Sequence, residues 1–139
     1  MKGLIVLITA ILLSSSSSLI GADVPAVVQK EFEKKFPGAE KVKWDQQKNG
    51  QCDAKFKWSD RKCSASFSET GEWLRTETIL AYKELPINVK KIVNTKFTVG
   101  AVKGASKIEK PGGISYGIDL KPGWTPNWFE FAEDGTQIQ

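Results

Sequence analysis

The chain has 139 residues, a formal net charge of +4 at pH 7 and no histidine. Without histidine it lacks the usual acid–base group of catalysis near neutral pH, which argues against an enzyme. Lysines alternate with acidic residues, as in Glu31, Glu33, Lys34 and Lys35, a pattern that is typical of a solvated face and argues against a nucleic-acid partner.

The first 22 residues have the three-part layout of a secretory signal. Lys2 precedes an apolar run at 4–13, and small residues follow at 14–18. The run spans about ten residues whereas a membrane helix needs roughly 20, so an uncleaved anchor is the less favoured alternative. Cleavage near residue 22 would leave residues 23–139, with a net charge of +3 because only Lys2 is lost. We therefore expect a periplasmic or secreted protein without a stable membrane span.

The remaining chain contains two copies of one pattern, at 23–80 and 81–139. Val24-Pro25 aligns with Leu85-Pro86 at an offset of 61 residues, and Phe36 aligns with Phe97 at the same offset. Towards the end of each copy the offset grows to 64, so the second copy carries about three inserted residues. A fixed period of this size indicates a duplicated supersecondary unit.

Each copy opens with a predicted helix, over residues 24–36 and 85–97. Apolar residues recur there at three- and four-residue steps, which indicates one buried helix face. A proline in the first turn, Pro25 or Pro86, is tolerated because its missing N–H would be unpaired in any case.

Short strands follow each helix. In the first copy turn sequences separate four of them, at about 41–46, 51–58, 61–68 and 72–78. In the second strand Cys52, Ala54, Phe56 and Trp58 alternate with polar residues, so one face packs on the helix and the other meets water. The predicted fold class is α+β, with two tandem units that each place one helix on a four-stranded antiparallel sheet.

The two cysteines, Cys52 and Cys63, are predicted to be free. Export and an even count favour a disulfide, but the hairpin register argues against one. If Ser59-Asp60 forms a two-residue turn, Cys52 lies opposite Phe67 and not opposite Cys63. The two thiols then stand about 13 Å apart along the sheet, beyond the Cα separation of about 7 Å that a disulfide permits. We therefore predict two buried thiols and no disulfide.

Several short motifs resemble one family. They are Val-Pro at 24–25, Phe-Pro-Gly-Ala at 36–39, Val-Lys-Trp at 42–44, Ala-Lys-Phe-Lys at 54–57, Ser-Ala-Ser-Phe at 64–67 and Gly-Glu-Trp-Leu at 71–74. Together they resemble the PepSY-like exported proteins of Bacteroidetes. The resemblance implies a fold similar to that of the beta-lactamase inhibitory protein, in a family without an established activity. Inhibition of a lactamase is not carried over, because no contact motif can be placed in this chain.

Motifs for metals, cofactors and catalysis are missing from the sequence. Two cysteines without histidine cannot form a four-ligand zinc site, and the aspartates lack the ligand run of a calcium loop. We therefore predict no metal, no cofactor and no enzyme activity. A weak hydrolase that uses a carboxylate pair, Glu69 with Glu72 or Glu133 with Asp134, is the least favoured alternative.

Two of the five tryptophans are candidate partner-binding residues. Trp128 alternates with the apolar Phe129 and is expected on the open face of its sheet, while Trp124 lies in a proline-rich turn. Tryptophan is enriched at protein interfaces, although partial burial of this pair against the first unit is an alternative. The predicted function is a non-catalytic binding or inhibitor-like module of the cell envelope, with an unknown partner. A binder of small ligands or cell-wall fragments that uses an aromatic sheet face is the runner-up.

Overall fold

The structure, a computed structural model, describes residues 23–139, and the predicted export signal at 1–22 lies outside the described residues. Two helices and seven strands follow one another: α1 (Ala26–Lys35), β1 (Glu40–Gln46), β2 (Cys52–Trp58), β3 (Arg61–Phe67), β4 (Trp73–Leu80), α2 (Ile87–Lys96), β5 (Val102–Lys110), β6 (Gly113–Leu120) and β7 (Trp128–Ala132). Short 3₁₀ turns at Tyr82–Glu84 and Val99–Ala101 flank α2. Within residues 23–139, neither helix has the length and apolarity that a membrane crossing needs.

All seven strands form one antiparallel sheet in sequence order. The sequence predicts two units of four strands, but β4 pairs with β5 from Thr76 to Leu80 and makes the sheet continuous. This pairing satisfies backbone groups that two separate sheets would leave at exposed edges. The second half has three strands, and residues 136–139 bond to the outer edge of β7, where the Ile138 N–H donates to the Glu130 carbonyl at 2.7 Å.

Both helices lie on the same face of the sheet. A cross-strand row of Cys63, Thr78, Lys107 and Tyr116 joins the two halves on that face. Cys63 belongs to the hydrophobic cluster under α1, and Tyr116 belongs to the cluster under α2. We call this side the helix face and the opposite side the open face.

Each helix packs on its own hydrophobic cluster. Under α1, the Phe32 ring meets Phe56 edge-on with centroids 4.9 Å apart and lies 5.1 Å from Trp44. Under α2, Val89 and Val93 are fully buried among residues of β5, β6 and β7. The helices begin after Pro25 and Pro86, within the ranges predicted from their apolar spacing.

The β2–β3 hairpin has the register that the sequence predicts. Ser59 and Asp60 both have positive φ, at 50° and 59°, as a two-residue type I′ turn requires. Cys52 consequently lies opposite Phe67, and Cys63 lies opposite Phe56. Both cysteines are buried on the helix face, four register positions apart.

Candidate binding face

The open face is formed by alternate residues of all seven strands. One row crosses the whole sheet: Lys43, Lys55, Ser64, Glu77, Ile108, Ser115 and Ala132. Because α1 and α2 pack on the helix face, no helix covers this row in the part of the chain that the structure describes. Ile108 and Ser115 are nevertheless buried, so the accessible positions of the row are those in β1 to β4 and β7. Its basic side chains are concentrated at the β1 end.

A groove of about 570 Å³ lies on the open face over β1, β2, β3 and β4. Five lysines line it: Lys41, Lys43, Lys55, Lys57 and Lys62. Ser64, Glu77 and Ile79 also contribute to the lining, and the Ile79 side chain is 51% exposed. We call this feature the lysine groove.

Four of these lysines form two like-charged cross-strand pairs. Lys43 lies opposite Lys55, and Lys57 lies opposite Lys62, an arrangement that destabilises a sheet. Lys57 Nζ is 3.7 Å from the carboxylate of Asp60, whose side chain is 98% exposed, so this ion pair contributes little. The other four lysines of the groove form no ion pair with residues 23–139.

An acidic pair in the same ladder is organised differently. Asp45 lies opposite Asp53, and the Gln47 side-chain amide donates to both carboxylates, at 3.3 and 2.8 Å. Burial alone would raise the pKa of Asp53. Hydrogen bonds from Ser66, Gln51 and Gln47 outweigh that effect, and the net pKa is lowered. The repulsion between the aspartates is thus relieved within the chain.

Lys41 lies in the groove with a strained backbone. Its φ is 53°, in the left-handed region, beside a bulge that separates Glu40 from Lys43 in the β1–β2 register. A non-glycine residue there costs on the order of 1–3 kcal/mol, and such strain is concentrated at functional sites. Bulges redirect side chains, so this one sets the direction of the Lys41 ammonium.

The structure places the two candidate tryptophans on opposite faces of the sheet. Trp128 lies on the open face, where its Nε1 is 3.2 Å from the position that a Cβ at Gly117 would occupy. Trp124 is 41% exposed and meets Phe97 edge-on at 5.5 Å, at the C-terminal end of α2. They therefore do not form one patch, and the binding role of each stays a prediction.

The lysines of the groove are not among the site residues predicted from the sequence. The sequence does carry a signal for them, as Lys-x-Lys at 41–43 and at 55–57, with Lys62 just beyond the hairpin turn. The predicted hairpin register already places Lys57 opposite Lys62, so that pair could have been found. The opposition of Lys43 and Lys55 depends on the β1–β2 connection, which turn chemistry alone does not fix.

The family described as "Putative beta-lactamase-inhibitor-like, PepSY-like" matches residues 50–136, which is more than half of the chain. The chain belongs to this PepSY-like family. The match runs from the first half of this PepSY-like protein through the second, and it confirms the resemblance inferred from the sequence motifs. No curated protein matches the chain.

Solved structures from Bacteroides share the fold of this PepSY-like protein. One of the "putative periplasmic proteins" of Bacteroides eggerthii DSM 20697 is 21% identical with a TM-score of 0.75, over 85% of this chain and 88% of that one. A BLIP-like protein of Bacteroides fragilis NCTC 9343 is 23% identical with a TM-score of 0.70, over 86% of each chain. A DUF2874 family protein of Bacteroides ovatus ATCC 8483 is 22% identical with a TM-score of 0.72, over 86% and 87%. The fold is therefore BLIP-like.

The helix face of the PepSY-like protein carries an ion pair between its two halves. Arg61, at the start of β3, forms a two-pronged contact with Glu84, in the turn before α2. Hydrogen bonds from the Arg61 guanidinium and from the Ala81 N–H lower the pKa of Glu84 from its ordinary value of 4.5 to about 2. This contact fastens the hairpin of the first half to the second half.

The titratable groups of residues 23–139 give little support for catalysis. The carboxyl groups with a displaced pKa are Asp53, Glu84 and Asp134, and each is lowered, opposite to the direction that a general acid requires. Glu130 is 5% exposed and is held by Ser115 Oγ and by Lys110 Nζ at 3.5 Å. In the described part of the chain, no three of the His, Cys, Asp and Glu side chains are grouped to hold a metal ion.

Proposed function

We propose that this PepSY-like protein is an exported, non-catalytic binding or inhibitor-like module of the cell envelope, and that its open face binds a protein partner. One observation carries the proposal: both helices pack on one face, while the other presents a groove lined by lysines. Uncompensated like charges lower stability. A local arrangement that lowers stability without a compensating structural contact is typical of a functional surface.

Export is proposed from the layout of residues 1–22. A relative of similar fold is described as one of the "putative periplasmic proteins", which supports a periplasmic or secreted location. We further propose that residues 23–80 and 81–139 descend from one duplicated unit. Each copy begins with a ten-residue helix after a proline, and antiparallel strands follow in both.

The geometry favours a protein partner over a small ligand. The depression on the open face is a groove over β1 to β4 and not an enclosed apolar cavity of the kind that buries a small ligand. Trp128 contributes an aromatic surface farther along the open face, so we propose it as part of the contact. Trp124 and Phe97 form a separate aromatic patch on the helix side, which we propose as a secondary contact.

Matched isoleucines on the two sides test the proposal. Ile79 on the open face and Ile87 on α2 are 51% and 60% exposed, so replacement of either by glutamate costs little stability. Each variant is immobilised beside the wild type, and proteins retained from envelope extract of the native host are identified by mass spectrometry. We expect a protein that wild type and Ile87→Glu retain and that Ile79→Glu loses. Equal retention by Ile79→Glu, or loss only with Ile87→Glu, would contradict the proposal.

A further inference from the structure

We infer that the lysine groove binds an extended acidic segment of a protein partner; this inference rests on the proposed function of the open face. The groove presents five ammonium groups on three adjacent strands. The one carboxylate in its lining, Glu77, already pairs with Arg75 at 2.9 Å. The groove is therefore complementary to negative charge supplied from outside the chain.

The sheet contains acidic and basic like-charged pairs, and the fold relieves the repulsion only in the acidic one. Asp45 and Asp53 share a bridging donor, the Gln47 amide, within the chain. Neither lysine pair has a shared acceptor among residues 23–139, and only Lys57 has an ion-pair partner, at a fully solvated turn. The fold thus relieves the repulsion between the two aspartates, whereas the repulsion within each lysine pair is left for a ligand. A carboxylate seated between Lys43 and Lys55, or between Lys57 and Lys62, would relieve it.

The spacing of the lysines matches an extended peptide. Lys55 and Lys57 are alternate residues of β2 and project from one face, about 6.6 Å apart at roughly 3.3 Å per residue. Alternate residues of an extended segment that runs along the strands have the same spacing. A segment with acidic residues at every second position therefore places one carboxylate at each lysine pair.

The rest of the lining favours a protein segment over a phosphate polymer. Ile79 adds an exposed apolar contact and Ser64 adds a hydroxyl, a mixture that is typical of protein interfaces. The lining contains no arginine, whose forked guanidinium is the preferred partner of phosphate. Asp45 and Asp53 end the basic patch on the same face, so it does not form the long stripe that a nucleic acid needs.

The test is fluorescence anisotropy with a labelled peptide of alternating glutamate and threonine, added to the purified full chain. The double variant Lys55→Gln with Lys62→Gln removes one lysine from each pair. The matched control, Lys30→Gln with Lys91→Gln, changes two exposed helix lysines and the same net charge. We expect salt-sensitive binding of the peptide, about tenfold weaker with the groove variant and unchanged with the control. A peptide of alternating glutamine and threonine should not bind.

Several results would overturn the inference. Equal weakening by both double variants would mean that net charge alone acts, and binding of the glutamine peptide would remove the need for carboxylates. Tighter binding of inorganic polyphosphate or phosphatidylglycerol vesicles would assign the groove to phosphate. If the acidic peptide does not bind while Ile79→Glu still loses a partner that Ile87→Glu retains, the open face binds a protein of other chemistry. If both tests fail, the proposed function fails with the inference.

A thermal melt checks the groove variant independently of any ligand. Removing one lysine from each like-charged pair should raise Tm, whereas the helix control should leave it nearly unchanged. A lower Tm for the groove variant would show that the lysines stabilise the sheet, and it would overturn the inference.

Discussion

At the scale of single residues, Lys41 is predicted to lower the stability of the chain and to strengthen binding, and one substitution tests both effects. Its φ of 53° suits glycine, so Lys41→Gly should raise the free energy of unfolding by up to about 1 kcal/mol. The same change removes one ammonium from the lysine groove and should weaken binding of the acidic peptide. Urea unfolding and anisotropy measure the two effects.

Gln46→Gly is the matched control for this prediction. Gln46 is an exposed residue of the same strand outside the lysine pairs, and its φ is not among the positive values, so glycine there should lower the free energy of unfolding by about 0.5–1 kcal/mol. Equal destabilisation by both glycines would mean that Lys41 is not strained.

Gly117 determines how closely Trp128 approaches the open face. An added Cβ would lie 2.8 Å from Ser106 Oγ and 3.2 Å from Trp128 Nε1. Gly117→Ala should therefore cost about 1–3 kcal/mol through overpacking and should shift the Trp128 fluorescence. Gly112→Ala is the control, because a Cβ there meets no atom within 4 Å. If urea unfolding finds both variants equally stable, Ser106 and Trp128 do not pack on Gly117 as described.

At the scale of elements, the ion pair between β3 and the turn before α2 should make stability depend on pH. The Glu84 pKa is lowered from 4.5 to about 2 in the folded chain, so the contact stabilises fully above pH 4.5. As the pH falls from 4.5 to about 2, Glu84 becomes protonated in the unfolded chain before it does so in the folded chain. This contribution to stability is therefore lost as the pH falls through about 2. Glu84→Gln should remove that part of the pH dependence. Parallel wild-type and variant stability curves between pH 4.5 and 2 would show that the Arg61–Glu84 contact does not contribute to this pH dependence.

The β2–β3 hairpin should keep Cys52 and Cys63 as free thiols even after export. Burial raises the pKa of the Cys52 thiol, with further contributions from Asp53 and Glu69, so it should react slowly in the folded protein. Titration in denaturant without reductant should find about two thiols per chain, since the register keeps the cysteines beyond disulfide distance. An intact intramolecular bridge, seen by mass, would show that this register is wrong.

The elements differ in how far the sequence alone predicts them. Helices α1 and α2 and the β2–β3 register follow from local signals, namely apolar spacing, an early proline and a two-residue turn. The pairing of Lys43 with Lys55 depends on the β1–β2 connection, whose register turn chemistry alone does not fix, and the position of Trp124 depends on contact with Phe97, which is distant in sequence. Such contacts depend on the assembled sheet, so neither the lysine groove nor the separation of the tryptophans could be predicted.

At the scale of the whole molecule, one continuous sheet gives the two helical halves a shared open face. The pairing of β4 with β5 aligns the row from Lys43 to Ala132 across all seven strands. Two independent units would instead present two smaller surfaces at a variable angle. The lysine groove occupies the β1 end, and Trp128 lies towards the β7 end. A partner that spans the face can therefore use charge at one end and aromatic contact at the other.

Site-specific photo-crosslinking in living cells tests the central claim most directly. A benzophenone amino acid replaces Ile79 on the open face or Ile87 on α2, two isoleucines of similar exposure. After irradiation, we predict a discrete protein adduct from position 79 and none from position 87. Adducts from position 87 alone, or from neither position, would contradict the claim that the open face is the binding surface.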